Sequence, residues 1–198
     1  KFFKTFKIFL FFLRYVLFFS FLKYFYIINT IMKDEKYYFH QSPMQLCKDI
    51  ISNIRFKPDD ILLEPFAGEN GFYNNFPEEI TKHRCEIEDG FDFHDFDYDT
   101  IKPTMIITNP PFRLENKNSF NYILNYFGKK TNIKDMHILC NLSCWNSLTP
   151  KRMMELNENG LFINKVTTVN VKKWFGRYYI IHFSRTHNPS FDYLISLY

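Results

Sequence analysis

Residues 104–112 read TMIITNPPF, an apolar β-prone run that stops at Asn109 and two prolines. Met105, Ile106 and Ile107 show no polar alternation, the pattern of a strand covered on both faces, as in a parallel sheet. Pro110 and Pro111 donate no main-chain N–H, so a strand cannot run on through them. The run predicts a parallel strand whose carboxyl-end loop is Asn109, Pro110, Pro111 and Phe112. Loops at that end of an α/β sheet bind ligands.

The neighbouring segments have the same grammar. SPMQLCKDIISNI (42–54) predicts an amphipathic helix, with Ser42 as N-cap and Pro43 at its first position. DILLEPFAGENGFYNNF (60–76) reads as a buried strand, a Gly-bearing loop and the start of a second helix. HRCEIEDGFDFHDFDYD (83–99) reads as a strand ending in acids, then a loop with a short strand at 91–93. Downstream come a helix in SFNYILNYFGKK (119–130), a buried strand in DMHILCNLSCW (135–145), and a helix in TPKRMMELNENG (149–160) capped by Thr149. A hairpin of LFINKVTTVNV and RYYIIHFSR closes the chain. Strand–helix alternation predicts an α/β, Rossmann-like doubly wound sheet with helices on both faces.

The 198 residues suffice for one domain with a real core. Aromatic content of 20% with a single alanine, Ala67, reads as the base-composition bias of an AT-rich genome, a microbe or a large virus. Cys47, Cys85, Cys140 and Cys144 lack zinc-type pairing, which predicts a reduced, intracellular protein in cytoplasm, nucleus or viral factory. The net charge of +4 is concentrated in residues 1–31, which hold Lys1, Lys4, Lys7, Arg14 and Lys23 and no acid. Bulk charge of the remainder therefore gives no support to nucleic-acid binding. Residues 1–31 are too interrupted by charge for a membrane span and end in no small-residue cleavage site. We read them as an apolar basic leader outside the native protein, with Met32 as its start, or as a membrane anchor. Residues 32–198 are then expected to form one domain without a separate target-recognition domain.

Three elements carry chemistry. In EPFAGENGF, Gly68 and Gly71 let a ligand approach the main chain after a strand ending in Glu64. The loop is neither G-x-G-x-x-G nor a Gly-Lys-Ser/Thr phosphate loop. Glu86 at the next strand end suits the two hydroxyls of a ribose, and Asp92 with Phe93 suits the amine and face of an adenine. In the third, the side-chain oxygen of Asn109 and the carbonyl of Pro110 would accept the two hydrogens of an aromatic amine. That aims the nitrogen lone pair at an incoming methyl group, while Phe112 stacks on the planar substrate. Asp95, Asp97 and Asp99 alternate as in a calcium loop, but Thr100 stands where that loop needs Gly; no metal is expected.

Together these elements resemble the class I S-adenosylmethionine-dependent methyltransferases, specifically the adenine-specific DNA amino-methyltransferases with an Asn-Pro-Pro-aromatic motif. HQSPMQLCKDII, EPFAGENGF, EIE, DF and NPPF stand in that family's order. The resemblance implies a seven-stranded, mostly parallel sheet with its last strand antiparallel, and S-adenosyl-L-methionine as cofactor. It implies that Glu64, Phe66, Ala67 and Gly68 line the methionine end, with Gly71 also in the cofactor loop, that Glu86 holds the ribose, and that Asp92 and Phe93 meet the adenine. Phe39, His40 and Ser42 fall where the preceding segment touches the cofactor. Asn109 to Phe112 would be catalytic. Only a few residues separate EIE from FDF, so the helix between the second and third strands is missing or reduced, and Asp89 and Asp95 compete for the adenine role.

Expected substrate contacts are Arg113, Lys117, Trp145 and Trp174, the last within KKWFGR, where aromatic and basic residues suit bases and phosphates. A solvated hairpin turn over a packed Trp174 is the bland alternative. The leading expectation is methylation of an exocyclic amine of adenine in DNA, with nucleic acid as partner and a possible protein partner for target recognition. The alternatives are an RNA base, a protein glutamine, or a catalytically silent binding module.

Overall fold

The computed structural model describes residues 41–112, 119–172, 174 and 176–191. Six strands of four to eight residues form one sheet: β1 (Ile61–Glu64), β2 (Thr81–Arg84), β3 (Met105–Thr108), β4 (Asp135–Asn141), β5 (Phe162–Val169) and β6 (Tyr178–Ser184). The two-residue β7 (Ser190–Phe191) extends one edge, giving the order β2-β1-β3-β4-β6-β5-β7. The pairs β1–β2, β1–β3 and β3–β4 are parallel, and β6 runs antiparallel to both β4 and β5. The antiparallel strand is thus β6 rather than the last one, since β7 pairs parallel with β5.

Five helices accompany the sheet among the described residues: α1 (Met44–Ser52), α2 (Tyr98–Ile101), α3 (Ser119–Gly128), α4 (Leu142–Asn146) and α5 (Pro150–Glu158). One face of the sheet buries Leu63, Ile106, Ile138 and Phe183 against Phe120, Ile123, Leu124 and Phe127 of α3 and Leu156 of α5. The other buries Leu62, Met105, Ile107 and Leu139 against Leu46, Cys47 and Ile51 of α1 and against Phe72, Phe76 and Ile80. Alternation along each strand feeds both cores, so β3 is buried throughout.

Three expectations are corrected. Ser42 is not the cap of α1: Pro43 holds that position without a side-chain bond, and the Ser42 hydroxyl is used elsewhere. The helix expected after the Gly loop is a single 3-10 turn at Tyr73–Asn75, because Pro77 follows at once and the chain must turn into β2. The expected short strand at 91–93 is one bridge, Glu86 to Phe91. Between β2 and β3 the chain makes only a 3-10 turn at Ile87–Asp89 and the one-turn α2, whose first turn is capped by Asp97 at 3.0 Å from the Thr100 N–H. The acids there serve as caps.

Candidate functional site

β1, β3 and β4 are parallel, so their carboxyl ends share one edge of the sheet, and the register Asn141–Tyr178–Val169 brings the β5–β6 turn to the same edge. β2 lies on one side of β1 and β3 on the other. The crevice between β1 and β3 is therefore a topological switch point.

On the β1 side, Gly68 takes a φ of +50° and Asn70 one of +63°, so the loop curls over the strand end. A Cβ on Gly68 would lie 3.0 Å from the Gln41 amide, and one on Gly71 only 2.9 Å from the Cys47 sulfur of α1. Gly68 is favoured by its positive φ, and Gly71 by its close approach to α1. Glu64 is 2% exposed and accepts the Tyr73 N–H at 2.6 Å; burial pushes its carboxyl up to about 8. Glu86, also buried, accepts the N–H of Gly68 and, at 3.3 Å, that of Glu88. Each carboxylate oxygen has two lone pairs, so both retain acceptor capacity.

Ala67 is buried under the loop, and Phe66 packs its ring 4.8 Å from Phe93. Phe93 itself is 5% exposed, with Tyr126 at 5.2 Å, so its ring belongs to the core. Asp92 sits in the loop and accepts from His94 through both the main-chain N–H at 2.8 Å and ring Nδ1 at 2.7 Å. Of its competitors, Asp89 is committed to Arg84 at 2.6 Å.

On the β3 side, Asn109 and Phe112 are half-buried and Pro110 is buried. The Asn109 amide nitrogen donates to Ser42 Oγ at 3.1 Å, while next door the Gln41 side-chain oxygen accepts the Glu69 N–H at 3.4 Å. Two adjacent residues thus touch both loops, which brings the Gly68 turn and Asn109 within the reach of a dipeptide. Phe112 packs against both cores. Tyr178 and Tyr179 point to opposite faces of β6, and each carries a tryptophan: Trp174 at 4.6 Å from Tyr178 and Trp145 at 5.6 Å from Tyr179. Lys172 and Arg177 beside them are exposed. Phe39, His40, Arg113 and Lys117 lie outside the described residues, as does the 1–31 leader.

Sequence reasoning missed Gln41 and Ile87. Ile87, immediately after Glu86, is 66% exposed, an apolar side chain left uncovered at the site edge. The signal for it was an isoleucine between two acids; none existed for Gln41, whose contact depends on the loop's positive φ.

No protein-family model matches the sequence, and no curated protein matches it. Solved structures do resemble the fold. A Listeria monocytogenes chain assigned as a class I S-adenosylmethionine-dependent methyltransferase is 12% identical with a TM-score of 0.57, over 84% of this chain and 68% of that one. The two chains share one fold. A Vibrio vulnificus chain assigned as the modification subunit of a type I restriction enzyme is 11% identical with a TM-score of 0.54, over 85% of this chain and 50% of that one. The M protein of the type I restriction enzyme EcoKI gives 11% and 0.54, over 82% and 50%. This chain thus spans half the length of the two restriction-enzyme chains.

Proposed function

We propose that the chain transfers a methyl group from S-adenosyl-L-methionine to an exocyclic amine, that of adenine in DNA. The observation that carries the proposal is the pair of contacts from Gln41 and Ser42, which sets the Gly68 loop beside Asn109 across the switch point. Two of the chains that share the fold belong to type I restriction enzymes, which favours nucleic acid as the substrate.

The site's own features fit the cofactor. The glycine at φ +50° lets the main chain curl closely over the strand end where the cofactor would lie. Glu86 would accept from the ribose hydroxyls, Asp92 from the adenine amine, and the exposed Ile87 would cover an adenine face. Glu64 and the loop Phe66, Ala67, Gly68 and Gly71 would hold the methionine end. The sulfonium supplies the methyl group.

Asn109 Oδ1 and the Pro110 carbonyl would accept the two amine hydrogens, which localises the nitrogen lone pair for in-line attack. Ser42 holds the amide nitrogen, so the carbonyl end is the one presented. Phe112, backed by both cores, would stack on the flipped base, with Trp145 and Trp174 on either side and Lys172 and Arg177 toward phosphates.

The test is transfer of labelled methyl to duplex DNA, single-stranded DNA, structured RNA and a protein extract in parallel. Wild type should label DNA at adenine. Asn109→Ala should lose about 10²–10³-fold in rate while still binding cofactor. Label in RNA or protein would redirect the substrate, and a chain that binds no cofactor would be a silent module.

A further inference from the structure

Asp92 is held by more than its own loop. Its Oδ1 accepts the His94 main-chain N–H at 2.8 Å and the His94 ring Nδ1 at 2.7 Å, and His94 Nε2 meets the Tyr122 hydroxyl of α3 at 2.8 Å. The chemistry fixes the proton positions. A carboxylate can only accept, so Nδ1 carries the hydrogen; in the neutral ring Nε2 is then the acceptor, and Tyr122 donates to it. The imidazole, itself exposed, also packs on rings, with Phe93 at 3.8 Å and Tyr126 edge-on at 5.2 Å. Both His94 donors fall on Oδ1 rather than on Oδ2.

We propose that the Tyr122–His94–Asp92 relay positions the Asp92 carboxylate to read the exocyclic amine of the cofactor's adenine, making His94 and Tyr122 specificity-determining residues of the cofactor site. This rests on the cofactor reading above. The loop carrying Asp92 has no regular strand or long helix; the Glu86–Phe91 bridge, the core ring of Phe93 and the Tyr98 hydroxyl on the Phe93 carbonyl at 2.8 Å hold its main chain, but none of them touches the Asp92 carboxylate. The relay adds to that support by tying the carboxylate itself to α3. A carboxylate so fixed accepts from an amine and repels a carbonyl at the same place, so it discriminates adenine from hypoxanthine. The neighbouring Asp89 is instead paired with Arg84.

The experiment is calorimetric titration of the full chain with S-adenosylhomocysteine and S-inosylhomocysteine, with thermal melting to verify that each variant folds. Wild type should favour the adenosyl ligand at least tenfold. His94→Ala should weaken the adenosyl ligand about tenfold and collapse the preference, and Tyr122→Phe should do so to a smaller degree. His94→Asn places an amide nitrogen where Nδ1 stood and should restore most of the preference without Tyr122. General loosening of the site would weaken both ligands together and leave their ratio intact; that result, or tighter adenosyl binding by His94→Ala, would overturn the relay. Wild type that binds neither ligand would overturn the cofactor reading as well, and is told apart by being independent of position 94.

Discussion

Glu64 stands at the end of β1 with its carboxyl raised to about 8 by burial, the nearby Glu86 charge adding to the effect. At neutral pH its proton is therefore largely retained. A cationic ligand end placed beside it favours the ionised form and expels that proton. Affinity for the cofactor should rise with pH from about 6 to 8 and then level off, with up to one proton released per ligand bound. Calorimetry in two buffers of different ionisation enthalpy measures the release; Glu64→Gln should abolish both the release and the slope. Affinity that falls over this range would remove Glu64 from the methionine end. The residue types of the site were legible because their chemistry is local: an acid at a strand end, a glycine in a turn, an Asn before two prolines. Ser42 was legible as a polar residue before a helix but not by its partner. Nothing in the chain's periodicity connects position 42 to position 109.

Among elements, α3 and α5 are tied to the sheet through Arg185, just beyond β6. Its guanidinium donates to the carbonyls of Gly128, Lys130, Ile133 and Asn159 at 2.7–2.9 Å. The first and last of these belong to the chain at the carboxyl ends of α3 and α5, where helices have unpaired carbonyls. Arg185→Met leaves four acceptors without their donor and should cost about 3 kcal/mol, or about 10 °C in Tm by thermal melting. Arg185→Lys should recover only part, since an ammonium lacks the planar fork. A variant within 2 °C of wild type would show that water replaces the guanidinium at no cost. Strands β1, β3, β4 and the β5–β6 hairpin were legible because apolar runs bounded by turn residues have few alternatives. The reduced connection between β2 and β3 was legible from spacing alone. What periodicity cannot supply is a short element made by capping. α4 exists because Asn141 Oδ1 accepts the Cys144 N–H at 2.9 Å, and α2 because Asp97 does the same for Thr100.

For the whole molecule, the mixed α/β fold was legible from the alternation of strand and helix, although identity to chains of the same fold is only 11–12%. The sheet also sets how stability responds to pH, because it buries opposite titrations at its two edges. At the edge away from the site, His137 stacks on His182 at 4.3 Å, and burial, then the His182 charge, lowers it from 6.5 to about 3. The unfolded chain takes up that proton near 6.5 and the native one does not, so acidification from 6.5 toward 3 favours unfolding by up to about 1.4 kcal/mol per pH unit. Asp135 acts in the same direction further down: burial opposes ionisation, but hydrogen bonds from His182 and Ser184 outweigh it and lower the carboxyl below 3.8. Glu64 acts oppositely. Its proton is lost near 4.5 in the unfolded chain and near 8 in the native one, so raising the pH between those values favours unfolding. Between about 4.5 and 6.5 the His137 and Glu64 slopes cancel. Stability should form a plateau there and decline on both sides. Denaturant titrations from pH 3.5 to 8.5 measure the profile. Glu64→Gln should remove the decline above 6.5, and His137→Leu the onset of the decline below 4.5. Stability that keeps rising through pH 8 in the wild type would mean that Glu64 is ionised in the folded chain, and the proton release argued for cofactor binding would fall with it.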